Sequence, residues 1–268
     1  MERLGEMSMK KVDLNADLGE SYGPYTIGND FEILNIVTSA NIACGFHAGD
    51  PEIMANTVKI CKEKDVSIGA HPGFDDLKGF GRRRFEFNSD DELRYLILYQ
   101  IGALKSIVKS ENGLLKHVKL HGALNNMACE DINISRVFTK AVRDLDETLP
   151  VFVVAETQLQ KAAVELSHPF TVSYTHLRAH ETIPDRAYTD EGQLLSRKLD
   201  GAIIHNPITA ADNILRTIDE GALTSINGVK IPVEVDTICV HGDNPDAVKL
   251  AETVRARLEN SGIKVTSS

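Results

Sequence analysis

The sequence predicts an α/β fold, a distorted (β/α) barrel of the TIM type. Three observations support this prediction. Short β-rich segments alternate with longer segments of helical periodicity, about eight such units fit into 268 residues, and neither a linker nor a change in composition divides the chain. Strand–helix alternation is typical of a parallel sheet, and eight units in this length favour a closed barrel. An open doubly wound sheet is the alternative. We therefore predict one domain over residues 10–268.

Eight segments are predicted as strands because they are short, rich in aliphatic and β-branched residues, and bounded by polar residues, Gly or Pro. They are KVDLNADL (11–18), SANIACG (39–45), VSIGAH (66–71), HVKLHGAL (117–124), PVFVVAE (150–156), FTVS (170–173), GAIIH (201–205) and DTICVHG (236–242).

Three of the intervening segments carry clear helix signals. Residues 52–64 follow Asp50, a capping residue, and Pro51, which suits the first turn. Residues 89–110 begin with Ser89 and Glu92 in capping-box spacing. Residues 244–262 begin with Asn-Pro and end at Gly262, which suits a helix terminus.

Composition excludes several classes of function. The net charge of -10 argues against a nucleic-acid partner or an anionic membrane surface. The four cysteines lack CxxC spacing, so we expect reduced thiols in a cytoplasmic protein. No apolar run is long enough to cross a bilayer. Residues 1–9 lack the apolar core of a signal peptide and are predicted to form a disordered lead.

A repeated feature points to a functional site: five predicted strands end at a histidine. These residues are His47, His71, His121, His205 and His241. The carboxyl ends of parallel barrel strands share one face, where active sites lie. One such histidine is commonly bonded to a nearby carbonyl, but five at equivalent places favour a site. His117, at the start of its segment, is interpreted as structural.

Strand periodicity adds polar groups to this face. Asp13, Asn15 and Asp17 point the same way, as do Lys119 and His121, because residues two apart on a strand share a face. We interpret Asp13 as a buried structural carboxylate. Asp17 near Lys119 and His121 forms a possible acid/base or metal-binding cluster, since a buried lysine usually contacts an anion.

Three loops belong to the same face. The first carries Glu20, directly after Gly19. The second follows His71 and carries Asp75 and the basic run Arg82, Arg83 and Arg84, which suits a clamp for carboxylate or phosphate. The third, IPDRAYTDEG (183–192), carries Asp185, Arg186, Tyr188 and Asp190.

Five motifs in order resemble the LamB/YcsF family: VDLNADLGES (12–21), ANIACGFHAGDP (40–51), IGAHPGFDD with GFGRR (68–83), VKLHGALNN (118–126) and DRAYTDEG (185–192). The resemblance runs from Lys10 to Val265. It implies a cytoplasmic A subunit of an ATP-dependent 5-oxoprolinase, which cleaves the lactam of 5-oxo-L-proline to L-glutamate. It also implies ATP with Mg²⁺ as cosubstrate and two partner proteins, subunits B and C.

Together with the strand-end pattern, the resemblance indicates the site residues. The expected catalytic residues are Asp17, His47, His71, Lys119 and His121. The expected substrate- or anion-binding residues are Asn15, Glu20, Asp75, Arg82, Arg83, Asn125, Arg186 and Asp190. The family is similar to the polysaccharide and YdjC-like deacetylase barrels, in which an Asp and two His hold a metal. The matching positions are Asp17, His71 and His121, although this chain has Ala16 where those enzymes have a second Asp.

The implied chemistry suits these residue types. A five-membered lactam is a stable amide, and ATP can convert its oxygen into a phosphate ester that water attacks readily. Such a reaction needs a base, cations and an acid. The chain has neither G-x-x-x-x-G-K-[ST] nor a helix-opening G-x-G-x-x-G. The nucleotide therefore binds in another way, or a partner protein transfers the phosphoryl group.

Two other functions remain as alternatives. One is a metal-dependent amide or N-acetyl hydrolase that works alone. The other is a non-catalytic subunit that binds 5-oxoproline. The histidines argue against the second, because binding a small carboxylate requires arginine more than imidazole.

The decapeptide SYTHLRAHET (173–182) does not fit the pattern. His176 and His180 have the i, i+4 spacing of zinc ligands on a helix. We reject that interpretation because the peptide resembles one reading frame of a sequencing adaptor. We predict that 174–182 is a non-native insert that forms an exposed loop, packs against nothing and binds no metal.

Overall fold

The computed structural model describes residues 10–154, 157–174, 187–190, 195, 199–202, 204, 206–233, 235–241 and 247–267, with the backbone alone at 173, 174 and 241. The predicted lead at 1–9 and residues 175–182 of the predicted insert lie outside these ranges. Tyr174 is the last residue of a strand and pairs with Ile238, so the prediction of an exposed loop is wrong at this position. No helix within the described ranges is long and apolar enough to span a membrane.

Seven parallel strands form a closed barrel, which confirms the predicted fold class. The order is β1-β2-β3-β4-β5-β6-β9, and β9 pairs with β1 to close it. A further strand, β10, pairs with the start of β1, and β7 and β8 form a separate antiparallel hairpin. The strands are β1 Lys11–Leu18, β2 Ser39–Ala43, β3 Ser67–His71, β4 Leu115–Val118, β5 Val151–Val154, β6 Phe170–Tyr174, β7 Ala222–Thr224, β8 Lys230–Pro232, β9 Thr237–His241 and β10 Lys264–Val265.

Helices follow most of the strands and cover the barrel. They are α1 Asp30–Ile33, α2 Pro51–Glu63, α3 Asp90–Ser110, α4 Gly122–Glu130, α5 Ile132–Leu145, α6 Gln158–Glu165, α7 Pro207–Glu220 and α8 Ala247–Asn260. The Asp50 side chain accepts hydrogen bonds from two amides of the first turn of α2. Ser89 accepts from Glu92 N at 3.2 Å at the start of α3. The predicted N-caps at Asp50 and Ser89 are thereby confirmed, whereas the predicted helix start at Asn244 and Pro245 lies outside the described residues.

The predicted strand over 117–124 is wrong at both ends. β4 ends at Val118, and α4 begins at Gly122. The residues between them stay extended against the loop after β3, because Lys119 N donates to Ala70 O and His121 N to Pro72 O, each at 2.9 Å. Gly122 then takes a positive φ of 51°, which turns the chain into the helix.

The predicted strand over 201–205 is also corrected. Gly201 and Ala202 lie in a turn, where Gly201 has φ 76°, and Ile204 is outside any strand. Residues 203 and 205 are not among those described. β6 pairs directly with β9, so the barrel closes with seven strands instead of eight. The β7–β8 hairpin was not predicted.

Alternation along β1 separates two kinds of core. Leu14, Ala16 and Leu18 are fully buried in the aliphatic layer between strands and helices. Asp13, Asn15 and Asp17 alternate with them and face the barrel interior, which is polar. Asp13 accepts hydrogen bonds from three hydroxyl groups, and its burial raises the pKa of the carboxyl.

A second polar layer lies below the mouth of the barrel. The Nε2 atom of His117 is 2.7 Å from Asn41 Oδ1, and its ring stacks on Phe152. A Cβ atom on Gly69 would lie 2.0 Å from His117 Nε2, so the neighbouring strand needs glycine there. The interior is therefore a packed polar core beneath the carboxyl ends of the strands.

Candidate functional site

Two histidines face each other at the mouth of the barrel. His71 ends β3, and His121 precedes α4. The Nδ1 atom of His71 is 2.8 Å from the carbonyl oxygen of Lys119, and the Nε2 atom of His121 is 2.8 Å from that of Phe80. A carbonyl only accepts hydrogen bonds, so both of these nitrogens carry hydrogen. The other two nitrogens, His71 Nε2 and His121 Nδ1, lie 3.0 Å apart.

A lysine–carboxylate pair lies beside His71. Lys119 Nζ donates to both oxygens of Asp17, at 2.6 and 2.9 Å, and lies 3.3 Å from Cys239 Sγ. Asp17 Oδ2 is also 3.3 Å from His71 Nε2. Both side chains of the ion pair are buried, so the two charges compensate each other in a poorly solvated environment.

His47 and Glu20 complete the cluster. His47 Nε2 lies 3.2 Å from Glu20 Oε1, and the same oxygen lies 3.6 Å from His121 Nδ1. The rings of His47 and His121 stack with centroids 3.7 Å apart and planes within 5° of each other. The structure therefore brings together all five expected catalytic residues, Asp17, His47, His71, Lys119 and His121, and adds Glu20.

Loop conformation explains how His47 reaches the cluster. His47 does not end β2, which stops at Ala43. Gly45 and Gly49 have φ values of 91° and 79°, which fold the intervening residues back over the barrel. A Cβ on Gly49 would lie 2.8 Å from the carbonyl oxygen of Gly19. Gly45 and Gly49 thus allow the loop to fold back and place the imidazole of His47 at the mouth of the barrel.

Two further glycines make room for the stacked imidazoles. A Cβ on Gly73 would lie 2.8 Å from His47 Nδ1. A Cβ on Gly81 would lie 2.7 Å from His47 Cβ and 2.8 Å from His121 Cδ2. These distances are shorter than real Cβ contacts. Side chains at these positions would displace the rings.

Burial keeps His47 neutral. It lowers the pKa of His47 well below the ordinary value, and the adjacent His121 and His71 lower it further. In the layer below, burial lowers the pKa of His117 to about 3, with a further contribution from Lys119. These imidazoles are therefore uncharged near neutral pH.

The cluster has the composition of a metal site. One ligand atom each from Glu20, His47, His71 and His121 lies within 4.8 Å of the other three. This group differs from the metal set implied by the resemblance, because Glu20 and His47 are included and Asp17 is not. All four residues are buried. Imidazole nitrogen and carboxylate oxygen together suit a transition-metal ion such as Zn²⁺.

The three arginines of the basic loop have different partners. Arg82 lies over the ring of Phe80, 5.2 Å from its centroid, close enough to the cluster to lower the pKa of His47. Arg83 forms an ion pair with Asp76, which holds the pKa of that carboxyl below its ordinary value. Arg84 pairs with Glu130 at 2.7 Å. Of the two arginines predicted to bind anions, Arg82 lies next to the histidines and Arg83 is engaged by the loop.

The other expected binding residues occupy varied positions. Asn15 lies one layer below Asp17, where it hydrogen-bonds Thr237 and Asn41. Asn125 is half-buried in the first turn of α4, and Asp75 is exposed. Asp190 accepts hydrogen bonds from Ser225 and Asn227, in the loop between β7 and β8. Arg186 and His205 lie outside the described residues, and for His241 the structure describes only its place at the end of β9.

Several residues that contact the site were not predicted from the sequence. The Phe80 carbonyl fixes the orientation of His121, and Phe80 adopts an unusual φ of 54°. Asn41 donates to Asp17 at 2.8 Å, and Cys239 contacts Lys119. Strand periodicity could have placed Cys239 in the interior, since it lies two residues before His241 on the same strand. Nothing in the sequence marks the Phe80 carbonyl.

Comparisons with known proteins agree with the resemblance. The LamB/YcsF family model matches residues 12–268. The A subunit of 5-oxoprolinase from Rhodopseudomonas palustris is 46% identical over 255 residues, which cover 95% of this chain and 97% of the relative. The protein of the same name from Thermococcus sibiricus is 44% identical over 257 residues, covering 96% and 97%.

Two solved structures are similar in fold. The lactam utilization protein from Thermus thermophilus matches with a TM-score of 0.89 and 41% identity, covering 96% of this chain and 100% of that one. A putative cellobiose-phosphate cleavage protein from Enterococcus faecalis matches with a TM-score of 0.54 and 15% identity, covering 97% and 98%. The second likeness shows the fold alone.

Proposed function

Because the chain belongs to the LamB/YcsF family, we propose that it is the A subunit of an ATP-dependent 5-oxoprolinase and carries the lactam-cleaving site. The names of its relatives support this assignment. The observation that carries the catalytic role is the buried cluster of three imidazoles and two carboxylates at the barrel mouth. Such a cluster suits proton transfer to and from water and an amide nitrogen.

The chemistry requires two activated steps. The lactam oxygen attacks the γ-phosphorus of ATP, an O–P bond forms, and ADP leaves. Water then adds to the activated C5 carbon and loses a proton to a base. The C5–N bond breaks as nitrogen takes up a proton, which leaves a γ-glutamyl phosphate. A second water releases phosphate and gives L-glutamate.

The residues of the mouth match these needs. The carboxylate of Glu20 and the imidazole of His47, 3.2 Å apart, supply acceptors for the proton of the attacking water. The protonated cluster then returns a proton to the departing nitrogen, which is general acid–base catalysis. Arg82, next to the histidines, suits the substrate carboxylate or the phosphoryl group because a guanidinium binds both. The Lys119–Asp17 pair fixes the carboxylate beside His71.

ATP with Mg²⁺ and subunits B and C complete the proposal. The relatives are named as one lettered subunit of an enzyme, which supports an assembly with other subunits. The nucleotide either reaches the mouth of this barrel or is used by a partner that phosphorylates the lactam there. Isotope transfer from γ-labelled ATP to the lactam oxygen would identify the phosphorylated species in either case.

Two alternatives differ in what they require. A stand-alone amide or N-acetyl hydrolase would release product without ATP and without partners. A non-catalytic binding protein would lose affinity for 5-oxoproline when the cluster is altered, while the maximal rate of the assembled complex stayed the same.

The test is glutamate release from 5-oxoproline by the purified chain, with and without ATP and with and without subunits B and C. We expect glutamate and phosphate in equal amounts only when all components are present. Product formation by the chain alone without ATP would favour the first alternative. No glutamate from the complete mixture, with folded subunits that bind one another, would refute the proposed function.

A further inference from the structure

We propose that Glu20, His71 and His121 bind a divalent transition-metal ion of the Zn²⁺ class at the barrel mouth. The inference deepens the proposed function, because it concerns the same site, but the argument for the ion rests on geometry alone. It differs from the Asp–His–His set implied by the resemblance, since Glu20 takes the place of Asp17.

The two facing nitrogens of His71 and His121 are close enough to require a positive charge between them. His71 Nε2 and His121 Nδ1 lie 3.0 Å apart. Each ring donates its other N–H group to a backbone carbonyl, so the facing atoms of two neutral imidazoles are both lone pairs. Two lone pairs at this distance repel unless a positive charge lies between them. That charge is either a shared proton or a metal ion.

Glu20 provides a third ligand atom near these two nitrogens. Glu20 Oε1 lies 3.6 Å from His121 Nδ1, and within 4.8 Å of the ligand atom of His71. Tetrahedral ligands with bonds of about 2.0–2.2 Å are separated by about 3.3–3.6 Å. The 3.6 Å separation lies in this range, and the 3.0 Å separation is slightly shorter. A metal ion between these atoms accounts for both nitrogens and the convergent carboxylate oxygen at once.

Backbone carbonyl groups hold both histidine ligands in place. Histidine ligands of metal ions usually donate their second N–H to a carbonyl or carboxylate, which fixes the tautomer. His71 and His121 both do so, to the carbonyl oxygens of Lys119 and Phe80. Two histidines and one glutamate form a known zinc set that leaves a fourth position for water or substrate.

His47 and Asp17 are assigned other roles. The ring of His47 is stacked nearly parallel on that of His121. The lone pair of an imidazole nitrogen lies in the plane of its ring, so the lone pairs of these two rings do not point at one common ion. His47 Nε2 instead suits a hydrogen bond to Glu20, 3.2 Å away. Asp17 Oδ2 lies 3.3 Å from His71 Nε2, but both carboxylate oxygens accept hydrogen bonds from Lys119, and Asp17 is not among the four residues whose ligand atoms converge. When bound, the ion supplies a Lewis acid that lowers the pKa of a water molecule for attack on the lactam.

The test measures Zn²⁺ binding to the metal-free purified chain by chelator competition, with metal content by mass spectrometry and the fold by circular dichroism. We expect one ion per chain. Glu20→Gln should weaken Zn²⁺ binding by roughly 100-fold or more. Mutation of a residue that only hydrogen-bonds a metal ligand already costs about 10–100-fold in metal affinity, and loss of a ligand itself should cost more. The surface control Glu130→Gln should retain affinity within a few-fold, and Asp17→Asn should lose less affinity than Glu20→Gln. Glu20→Asp, which shortens the carboxylate, provides a second variant with an expected intermediate loss.

Other outcomes would overturn the proposal. A folded wild-type chain that binds no ion, with an imidazolium signal from His71 or His121 in nitrogen NMR, would establish a shared proton instead. Loss of binding in Asp17→Asn but not in Glu20→Gln would refute the ligand set. Glutamate release by a chain without the ion would leave the proposed function intact. Conversely, bound zinc without lactam cleavage in the full mixture would refute that function and leave the metal site.

Discussion

Both carboxylate oxygens of Asp17 accept hydrogen bonds from Lys119, at 2.6 and 2.9 Å, although the two residues lie on strand β1 and just beyond strand β4. The pair therefore crosses the barrel interior at its mouth. Removal of one partner leaves a buried charge without compensation, which typically costs about 3–5 kcal/mol.

This pairing predicts strong coupling between the two residues. Asp17→Asn and Lys119→Met should each lower the free energy of unfolding by several kcal/mol, while the double variant should lose less than the sum. Urea unfolding of the four proteins in a double-mutant cycle measures the coupling. Additive losses would mean that the pair contributes no mutual stabilisation.

Gly73 predicts a steric effect on the site. Gly73→Ala would place a methyl group 2.8 Å from His47 Nδ1, so the imidazole must move. We expect a folded protein whose rate of lactam cleavage falls at least about tenfold. Gly102→Ala is the matched control, because a Cβ there has no neighbour within 4 Å and lies in helix α3. That change should leave the rate unchanged and stabilise the protein by about 0.5–1 kcal/mol. Equal rates in the two variants would contradict the role of His47.

The basic loop predicts a difference between two neighbouring arginines. Arg82→Lys should raise the KM for 5-oxoproline or ATP, because lysine lacks the bidentate fork of arginine. Arg83→Lys should change KM less, because Arg83 is engaged by Asp76. Steady-state kinetics of the complex decide this, with Arg84→Lys as the surface control. An unchanged KM for both substrates in Arg82→Lys would remove Arg82 from the anion site.

The low pKa of His117 in the folded protein predicts that the free energy of unfolding depends on pH. Its pKa is about 3 in the folded protein, against about 6.5 in an unfolded chain. As pH falls, His117 is therefore protonated in the unfolded state at a higher pH than in the folded state. The contribution of His117 to the free energy of unfolding is complete above about pH 6.5 and declines as pH falls towards 3, by at most about 1.4 kcal/mol per pH unit.

The comparison variant is His117→Gln, which keeps a donor for Asn41. Thermal unfolding is measured between about pH 7.5 and about pH 4.5, a range that includes the ordinary histidine pKa. The decline in stability should be shallower for the variant than for the wild type. Parallel curves would show that His117 does not titrate differently on folding.

The sequence predicted the barrel and much of its mouth because both depend on periodicity. Strand β1 agrees with its predicted bounds at Lys11–Leu18, and its alternation placed Asp13, Asn15 and Asp17 in the interior. The end of β4 could not be predicted in this way, because it depends on the positive φ of Gly122. The path that returns His47 to the cluster depends on Gly45 and Gly49 in the same way.

Long-range contacts were harder to predict. The approach of Glu20 to His47 and His121 requires two loops to meet above the barrel. The pairing of Lys119 with Asp17 depends on closure of the barrel by seven strands, where eight were predicted. Local sequence carries no information on which loops meet, and the strand count decides which side chains face each other across the interior.

The most direct test of the account is the rate of ATP-dependent glutamate release when this chain alone carries His121→Gln and subunits B and C are unaltered. The control is His168→Gln, since His168 is also a buried imidazole but hydrogen-bonds Leu149 O at 3.0 Å, outside the cluster. The account predicts a loss of about 10²–10⁴ in kcat for His121→Gln and a rate near the wild type for His168→Gln. Equal rates in the two folded variants would contradict the claim that the lactam is cleaved at this mouth.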